Sequence, residues 1–502
     1  MTVLLAWIGM IAGSIALERL TLPRSPLFVR SCLGEGLRIF VFTLVFAFFF
    51  ACSWRPYFAA VATLIFVGVF VAICRGKVWF VHEPLVFSDI AFIIDVFRYP
   101  KLFYSTFLKP LYLLSVVVFL SAVIVVWFLL EPHILPQTNP GLAVTVMLLC
   151  WLFLITGPFL PGIRRIYECW ALAIMSEPDL EADIAHYGHL TTLVGHFLAW
   201  RGDDRTKRIA NWTPSPQIST HQEADNPADL IIIVQCESFY DLRRLGMSDI
   251  EFPELDKARN QAVSWGQLGN SFDGGYTLRT EFAFLSGRQP EDIGFDRYYP
   301  YLNAQAYADI AVPNSLKKAG YTTTFMHPFY RRFFFRNKAM PAIGFDNIYM
   351  LDDFEGAKRK GEHISDDAVA DRLIAEAQAC VGPAFLFAAT MENHGPWETE
   401  RFAHTDTPLD VYKEHLKSGD VMLGRLITHF SDWPGRVVLL FYGDHVPVLK
   451  AYADPFPDSF TDYVLLELGR NVEKAQTAHK KKRFISDLTW DVLALAGLTV
   501  QK

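Results

Sequence analysis

Apolar residues crowd into five runs in the first third of this chain: Val3–Leu17, Ile39–Trp54, Phe58–Cys74, Leu111–Leu130 and Leu142–Phe159. A helix needs roughly 20 apolar residues to cross a hydrocarbon core. The fourth run meets that length, and the third and fifth come close. The first two are short, so tilt, snorkelling or local thinning must make up the difference. Five transmembrane helices are expected. No small-residue cleavage site follows the first run, which therefore reads as an anchor rather than a signal peptide. The competing reading, buried helices of a soluble core, sits badly with five such runs clustered together.

The pattern then changes. From about Arg164 to Arg201, aromatic and charged residues mix at helical spacing, as in HYGHLTTLVGHFLAWR. This predicts a juxtamembrane helix at the interface, or else a plain core helix of the next domain. Gly202 to Ala228 is polar and holds Pro214, Pro216 and Pro227, which suits a linker. Short β-rich apolar runs follow at 229–238 (DLIIIVQCES), 322–327 (TTTFMH), 384–390 (AFLFAAT) and 436–445 (RVVLLFYGDH), with helical stretches such as Asp366–Ala379 and Tyr412–Phe430 between them. That alternation implies a largely parallel sheet covered by helices. Ligands of such sheets bind beyond the carboxyl ends of the strands. The expected division is 1–160 for membrane helices, 161–228 for the juxtamembrane helix and linker, and 229–502 for an α/β domain.

Composition sharpens this. With 502 residues, 52% of them hydrophobic, and a mean hydropathy of +0.21, the chain is too apolar for an ordinary soluble protein and too long for one domain. The net charge of −7 comes without a long basic run, which argues against nucleic acid as a partner. The short patch Lys480-Lys481-Lys482-Arg483 reads as a solvated or lipid-facing surface. Seven scattered cysteines show no CxxC pair, so neither a disulfide framework nor a cysteine zinc site is indicated. Charge also bears on topology. The loops near Arg19–Arg38 and Arg75–Lys109 carry most of the Lys and Arg of the membrane part, while the opposite side has little more than Arg55. With five spans, the positive-inside rule alone would put the large domain in the cytoplasm.

Two strands end in candidate metal ligands, Glu237 in one and Asp444-His445 in the other. Carboxylate oxygen and imidazole nitrogen suit zinc or manganese. Gly443 would permit the sharp turn by which neighbouring Asp and His reach one ion. Alone, Glu237 reads as a solvated strand end and the Gly-Asp-His as loop; together at one sheet edge they suggest a site. Between them lies SFDGGYTLRTEFAFLSG (271–287). Gly274 and Gly275 let the backbone approach a ligand, and Thr277 and Thr280 offer hydroxyls ahead of an apolar helical stretch. A hydroxyl at a helix start beneath a metal can be activated as a nucleophile, with helix N–H groups favouring a bound phosphate. Either threonine could equally be an N-cap, and spacing does not choose between them.

Five motifs together carry a resemblance over essentially the whole chain. They are Glu237-Ser238 at a strand end; Gly274-Gly275-Tyr276-Thr277 with Glu281-Phe282 four and five residues on; Asn393-His394-Gly395-Pro396-Trp397; Tyr442-Gly443-Asp444-His445; and Phe333-Phe334-Phe335-Arg336-Asn337. Glu83 to Asp89 adds a loop of the same kind between the third and fourth helices. The layout resembles the lipoteichoic acid synthase family and its phosphoglycerol transferase relatives in the alkaline phosphatase/sulfatase superfamily. The resemblance implies a fold of about five transmembrane helices followed by a sulfatase-like α/β domain. It selects Thr277 as the nucleophile. It implies one divalent ion held by Glu237, Thr277, Asp444 and His445, manganese first, with zinc or magnesium as alternatives. His394 would contact phosphoryl oxygens or protonate a departing oxygen, its plainer role being loop packing. Arg336 would hold the phosphate or glycerol hydroxyls, its plainer role being a surface arginine stacked on aromatic rings. His327, on another strand end, is a weaker candidate for the site and reads better as a satisfied core histidine.

The implied activity moves glycerophosphoryl from phosphatidylglycerol to an envelope glycan or glycolipid, with the domain outside the cytoplasmic membrane, against the charge count. Departures from the family pattern touch the substrate contacts. The turn reads Gly-Gly-Tyr-Thr rather than Gly-Lys-Thr, Leu278-Arg279 replaces a small-acidic pair, and the aromatic segment lacks its tryptophan. Sulfate-ester hydrolysis is unexpected, because the motif has no Cys or Ser with the following Pro and Arg. Phosphoethanolamine transferases are usually disulfide-rich in their soluble domains, and only Cys169, Cys236 and Cys380 lie beyond the membrane region here. A phosphoethanolamine transferase, a phosphodiesterase and a non-catalytic membrane scaffold remain as alternatives; the intact Glu237, Thr277, Asp444 and His445 set argues against the last.

Overall fold

The structure is a computed structural model that describes every residue except 30, 100–101, 103–109, 213–226, 270–275, 471, 473–477 and 499–502. It forms two compact units, Met1–Asp203 and Asp204–Lys502. The prolines at 214 and 216 and the glycines at 274 and 275 lie outside the described residues.

All five apolar runs are helical: α1 (Thr2–Glu18), α2 (Cys32–Ser53) and α3 (Pro56–Val81), then, after the short α4 (Ile93–Arg98), α5 (Pro110–Leu130) and α6 (Pro140–Thr156). Among the described residues, Cys32–Ser53, Pro56–Val81 and Pro140–Phe159 are long and apolar enough to cross a membrane; Thr2–Glu18 and Leu114–Leu130 are shorter apolar helices. The second run is longer than its apolar residues suggest, because α2 continues through Glu35 and Arg38. Arg38 is fully buried, and its Nε donates to Glu18 Oε2 at 2.7 Å. The backbone N–H of Leu190 donates to the other Glu18 oxygen. Likewise α3 runs past Arg75 and Lys77. The Lys77 ammonium is held by Glu83 at 2.9 Å, Asp89 at 2.7 Å and the Pro84 carbonyl. The segment from Glu83 to Asp89 thus clamps the end of α3. Charged residues lengthen these helices because each has a partner.

The expected interfacial helix is three helices, α7 (Arg164–Ile174), α8 (Leu180–Tyr187) and α9 (His189–Gly202), all in the first unit. Gly188 separates the last two with φ +78°. A Cβ there would lie 2.8 Å from Glu18 Oε2, so the turn requires glycine. α7 is amphipathic: Ile166 and Trp170 are exposed while Ala171 is buried.

The second unit opens with α10 (Arg205–Ala210). Its strands are β1 (Leu230–Cys236), β2 (Ser264–Gly269), β3 (Thr322–Met326), β4 (Asn347–Tyr349), the small pair β5 (Arg359–Lys360) and β6 (His363–Ile364), β7 (Ala384–Ala389), β8 (Val437–Gly443), β9 (Phe460–Leu468), β10 (His479–Lys480) and β11 (Arg483–Phe484). The main sheet has the order β10-β2-β9-β8-β1-β7-β3-β4, with β11 beside β2. The four strands expected from sequence, β8, β1, β7 and β3, are adjacent and parallel at its centre. Every residue of β1, β7 and β8 is buried, as strands covered on both faces must be. Helices α11 (Pro253–Gln261), α12 (Thr277–Ser286), α13 (Val312–Lys318), α14 (Arg336–Ala342), α15 (Asp366–Ala379), α16 (Pro408–Ser431) and α17 (Ile485–Leu495) complete the unit.

The sheet is mixed rather than parallel throughout, because β9 runs antiparallel to β8 and β2. The basic patch at 480–483 belongs to that wing. Lys480 and Arg483 sit in its short edge strands, the Lys482 ammonium stands 3.4 Å over the Phe460 ring, and Arg483 pairs with Asp491 at 2.8 Å.

Candidate active site

Strand register builds the site. Cys236 pairs with Gly443, so the next residues, Glu237 and Asp444, leave the same sheet edge side by side. Gly443 is needed for a reason other than a turn: a Cβ there would meet the Phe239 carbonyl oxygen at 2.0 Å. Ser238, at φ +49°, bends β1 away. Its N–H donates to Asp444 Oδ1 at 2.8 Å, and its hydroxyl donates to Glu237 Oε1 at 2.9 Å.

Glu237, Asp444 and His445 each offer a ligand atom, all within 4.8 Å of one another. His445 Nε2 stands 3.4 Å from both Glu237 Oε1 and Asp444 Oδ2. That nitrogen is buried without a hydrogen-bond partner among the described residues. His445 Nδ1 lies 3.0 Å from the Val446 carbonyl, which requires the proton on Nδ1 and leaves Nε2 with its lone pair. Burial raises the Glu237 carboxyl above the ordinary range. Burial and the Glu237 charge push Asp444 up to about 6. Burial lowers the His445 ring, but Asp444 and Glu237 outweigh it, so the ring ends up raised. Two buried carboxylates and an imidazole with its lone pair turned inward fit a divalent cation with oxygen and nitrogen ligands.

Thr277 is the first residue of α12, after Tyr276 at the cap position, so it is not the N-cap. Its side chain lies close enough to the Glu237 and Asp444 carboxylates to oppose the rise that burial gives each of them. Thr280 is spent elsewhere, since its hydroxyl donates to the Asp444 carbonyl at 3.0 Å. Of the two threonines that spacing left open, the resemblance selects Thr277, and Thr280 has its hydroxyl on a backbone carbonyl. Arg279, one of the departures from the family pattern, is buried: its guanidinium covers the Tyr276 ring at 4.1 Å and donates to the Tyr298 carbonyl.

The remaining candidates converge on the same edge. Arg336 is fully buried rather than on the surface. Its Nε and Nη2 reach Glu281 Oε1 and Oε2 at 3.1 and 2.9 Å, while Nη1 has no hydrogen-bond partner among the described residues. Phe334 and Phe335 precede it with φ +56° each, a strained turn that presents Arg336 inward. His394 sits in a loop anchored by Asn393, whose amide donates to the Glu237 and Ser238 carbonyls. The His394 Nδ1 lies 2.6 Å from the Gly395 carbonyl. Burial pushes the ring down to about 4, with that hydrogen bond opposing. His327 is buried, with Nδ1 3.0 Å from the Ala389 carbonyl, but its Nε2 has no partner among the described residues. It is thus not the satisfied core histidine expected from sequence. Its ring is held well below the usual range by burial and by Arg336.

Sequence reasoning missed the residues that hold these groups. Gln235 donates to the Thr277 carbonyl at 3.5 Å and accepts from the Tyr442 hydroxyl at 2.6 Å. A glutamine in an otherwise apolar central strand was the available signal, because a buried amide must find partners. Glu281 was visible as part of a motif, but its partner lies 55 positions away.

With this geometry in place, comparison with known proteins is informative. The sulfatase family profile matches residues 229–497. Capsular polysaccharide biosynthesis protein RkpI of Rhizobium meliloti (strain 1021) is 40% identical over 464 residues, spanning 91% of this chain and 85% of that one. The integral membrane protein lipooligosaccharide phosphoethanolamine transferase A (EptA) of Neisseria meningitidis superposes with a TM-score of 0.51 over 92% of this chain and 96% of its own. At 13% identity that likeness is one of fold, the membrane helices included. Matched by the profile over more than half its length, the chain belongs to the sulfatase family, with a unit of apolar helices ahead of the matched domain.

Proposed function

We propose that this chain is a phosphotransferase that moves a glycerophosphoryl group from phosphatidylglycerol to an envelope glycan or glycolipid through a phosphodiester on Thr277. The observation that carries the reading is the Thr277 hydroxyl, set at a helix start against both the Glu237 and Asp444 carboxylates. Glu237, Asp444, His445 and Thr277 Oγ1 would hold one divalent cation, manganese first with zinc or magnesium as alternatives. Such an ion lowers the energy of the Thr277 alkoxide.

In this reading Thr277 Oγ1 attacks phosphorus and the bond to the diacylglycerol oxygen breaks. The Arg336 guanidinium, oriented by Glu281, offers Nη1 to the phosphoryl oxygens. With the His394 Nδ1 proton on the Gly395 carbonyl, its Nε2 can take a proton from the acceptor hydroxyl in the second displacement. In the first displacement the same nitrogen would take the Thr277 hydroxyl proton and pass it to the departing diacylglycerol oxygen. Tethering raises the encounter rate with a lipid donor without added affinity. The reading puts the catalytic unit outside the cytoplasmic membrane, where lipid head groups and glycans meet. The relative's name, a capsular polysaccharide biosynthesis protein, supports a glycan-directed role.

The test is mass spectrometry of the full chain after incubation with phosphatidylglycerol and Mn²⁺, with phosphatidylethanolamine in a parallel arm. A glycerophosphoryl adduct on Thr277 is expected. An ethanolamine-phosphate adduct would change the donor, and no adduct with either lipid would remove the reading.

The ion is testable separately. In the ion-free protein Asp444 titrates near 6 against an ordinary 3.8, so the native state holds a proton that the unfolded chain releases between those values. Its contribution to stability therefore falls as pH rises through that window. A cation competes for the same carboxylate. Saturating Mn²⁺ should stabilise by about 2–3 kcal/mol at one hundred times its Kd, with a larger thermal shift at neutral pH than at pH ~5. A shift of equal size at both pH values would argue that the ion binds elsewhere.

A further inference from the structure

The membrane unit contains a second feature of chemical interest. A cavity of about 400 Å³ lies between α2, α6, α7 and α9, walled by Leu44, Phe159, Trp170, Val194 and Leu198 among others. Its volume falls within the roughly 300–1,000 Å³ of small-molecule sites. The wall is almost wholly apolar. One exception is Thr191, which lines the cavity with a buried hydroxyl that has no hydrogen-bond partner among the described residues.

The Arg201 guanidinium stands 4.7 Å over the Phe159 ring and 5.8 Å from the Phe197 ring, both of which wall the cavity. Its Nη1 is buried without a hydrogen-bond partner among the described residues. Among the described residues its carboxylate partner is Glu168, 3.7 Å away and shared with Arg164 at 3.3 Å. Arg165 follows on the same helix, exposed. Arg201 and Arg164 share this one carboxylate, and the Arg201 guanidinium is the charge set against the rings that wall the cavity. Trp170 and Tyr167, also lining it, are residues of the membrane–water boundary.

We propose that this cavity binds one acyl chain of an anionic phospholipid, whose phosphate is held by Arg201 at the cavity's end of α9. An acyl chain fits the apolar wall, and a negative head group satisfies the unpaired guanidinium nitrogen. The site holds its lipid whichever head group the catalytic unit transfers, so it stands apart from the proposed reaction.

The test uses the full chain in nanodiscs with phosphatidylglycerol carrying a diazirine on its acyl chain, and phosphatidylcholine carrying the same group. After photolysis, phosphatidylglycerol should label α7 and α9 about fivefold more than phosphatidylcholine, the preference one arginine confers. Arg201→Gln should abolish that preference. Val194→Trp, at a half-exposed wall position, should remove α7 and α9 labelling while α3 stays labelled. Should Val194→Trp fold poorly, Ile166→Trp fills the cavity from α7, where the side chain is exposed. Equal labelling by the two lipids, labelling unchanged by the tryptophan variants, or cross-links to a second copy of the chain in place of lipid would each overturn the proposal.

Discussion

Thr277→Ala is expected to cut transfer by at least about 10³-fold in kcat with little change in KM, because it removes the proposed nucleophile and leaves the surrounding pocket. Thr277→Ser keeps the hydroxyl and should stay within about tenfold of the parent. Thr280→Ala is the informative control. It sits one turn away and shares the same burial, but its hydroxyl serves only the Asp444 carbonyl. Losing that hydrogen bond costs about 1 kcal/mol, roughly a fivefold effect at most if all of it appears in the rate. The measurement is transfer from head-group-labelled phosphatidylglycerol, with covalent labelling of the protein followed in parallel. A Thr277→Ala protein that keeps a tenth of the parent rate, or still acquires the label, would eliminate covalent catalysis at this residue.

Why spacing alone left Thr277 and Thr280 open, so that only the register of the family motif selected Thr277, is a matter of helix geometry. Residues three apart share a face, so both meet the same sheet edge, and only the packing of α12 decides which hydroxyl reaches the carboxylates. Glu237 and Asp444 were legible for the opposite reason. Their strands are uniformly apolar, and each switches to polar residues at a definite point. Parallel register then brings those points together. The antiparallel wing was not legible. β9 carries Asp462 inside a buried strand, and that charge makes sense only beside Arg244 and Arg259, which approach it at 2.9 and 3.1 Å from distant positions. The same applies to α2, whose apolar run looks short because Arg38 interrupts it, until Glu18 is found against it. Apolar pattern survives translation into structure; a buried charge is interpretable only with its partner.

Glu281→Ala should destabilise the catalytic unit by about 3–5 kcal/mol, the cost of leaving a buried charge without its partner. The pair is fully buried, the Glu281 carboxylate takes two bonds from Arg336, and the Tyr301 hydroxyl donates to the same carboxylate. Lowering of the melting midpoint on the order of 10 °C should follow, read by calorimetry of the full chain in detergent. The double variant Glu281→Leu/Arg336→Met separates structure from function. Replacing both charges by apolar side chains of similar size removes the stranded guanidinium, so most of the stability should return. Activity should not return, because the proposed reaction uses the Arg336 Nη1, which has no hydrogen-bond partner among the described residues. Glu281 stands four residues beyond Thr277 on α12 and so on the same face, which makes the pair the link that fixes the guanidinium relative to the reacting hydroxyl. A double variant as stable as the parent and equally active would show that the arginine serves only the fold, and a Glu281→Ala protein melting within a degree of the parent would show that the pair does not hold α14 to α12.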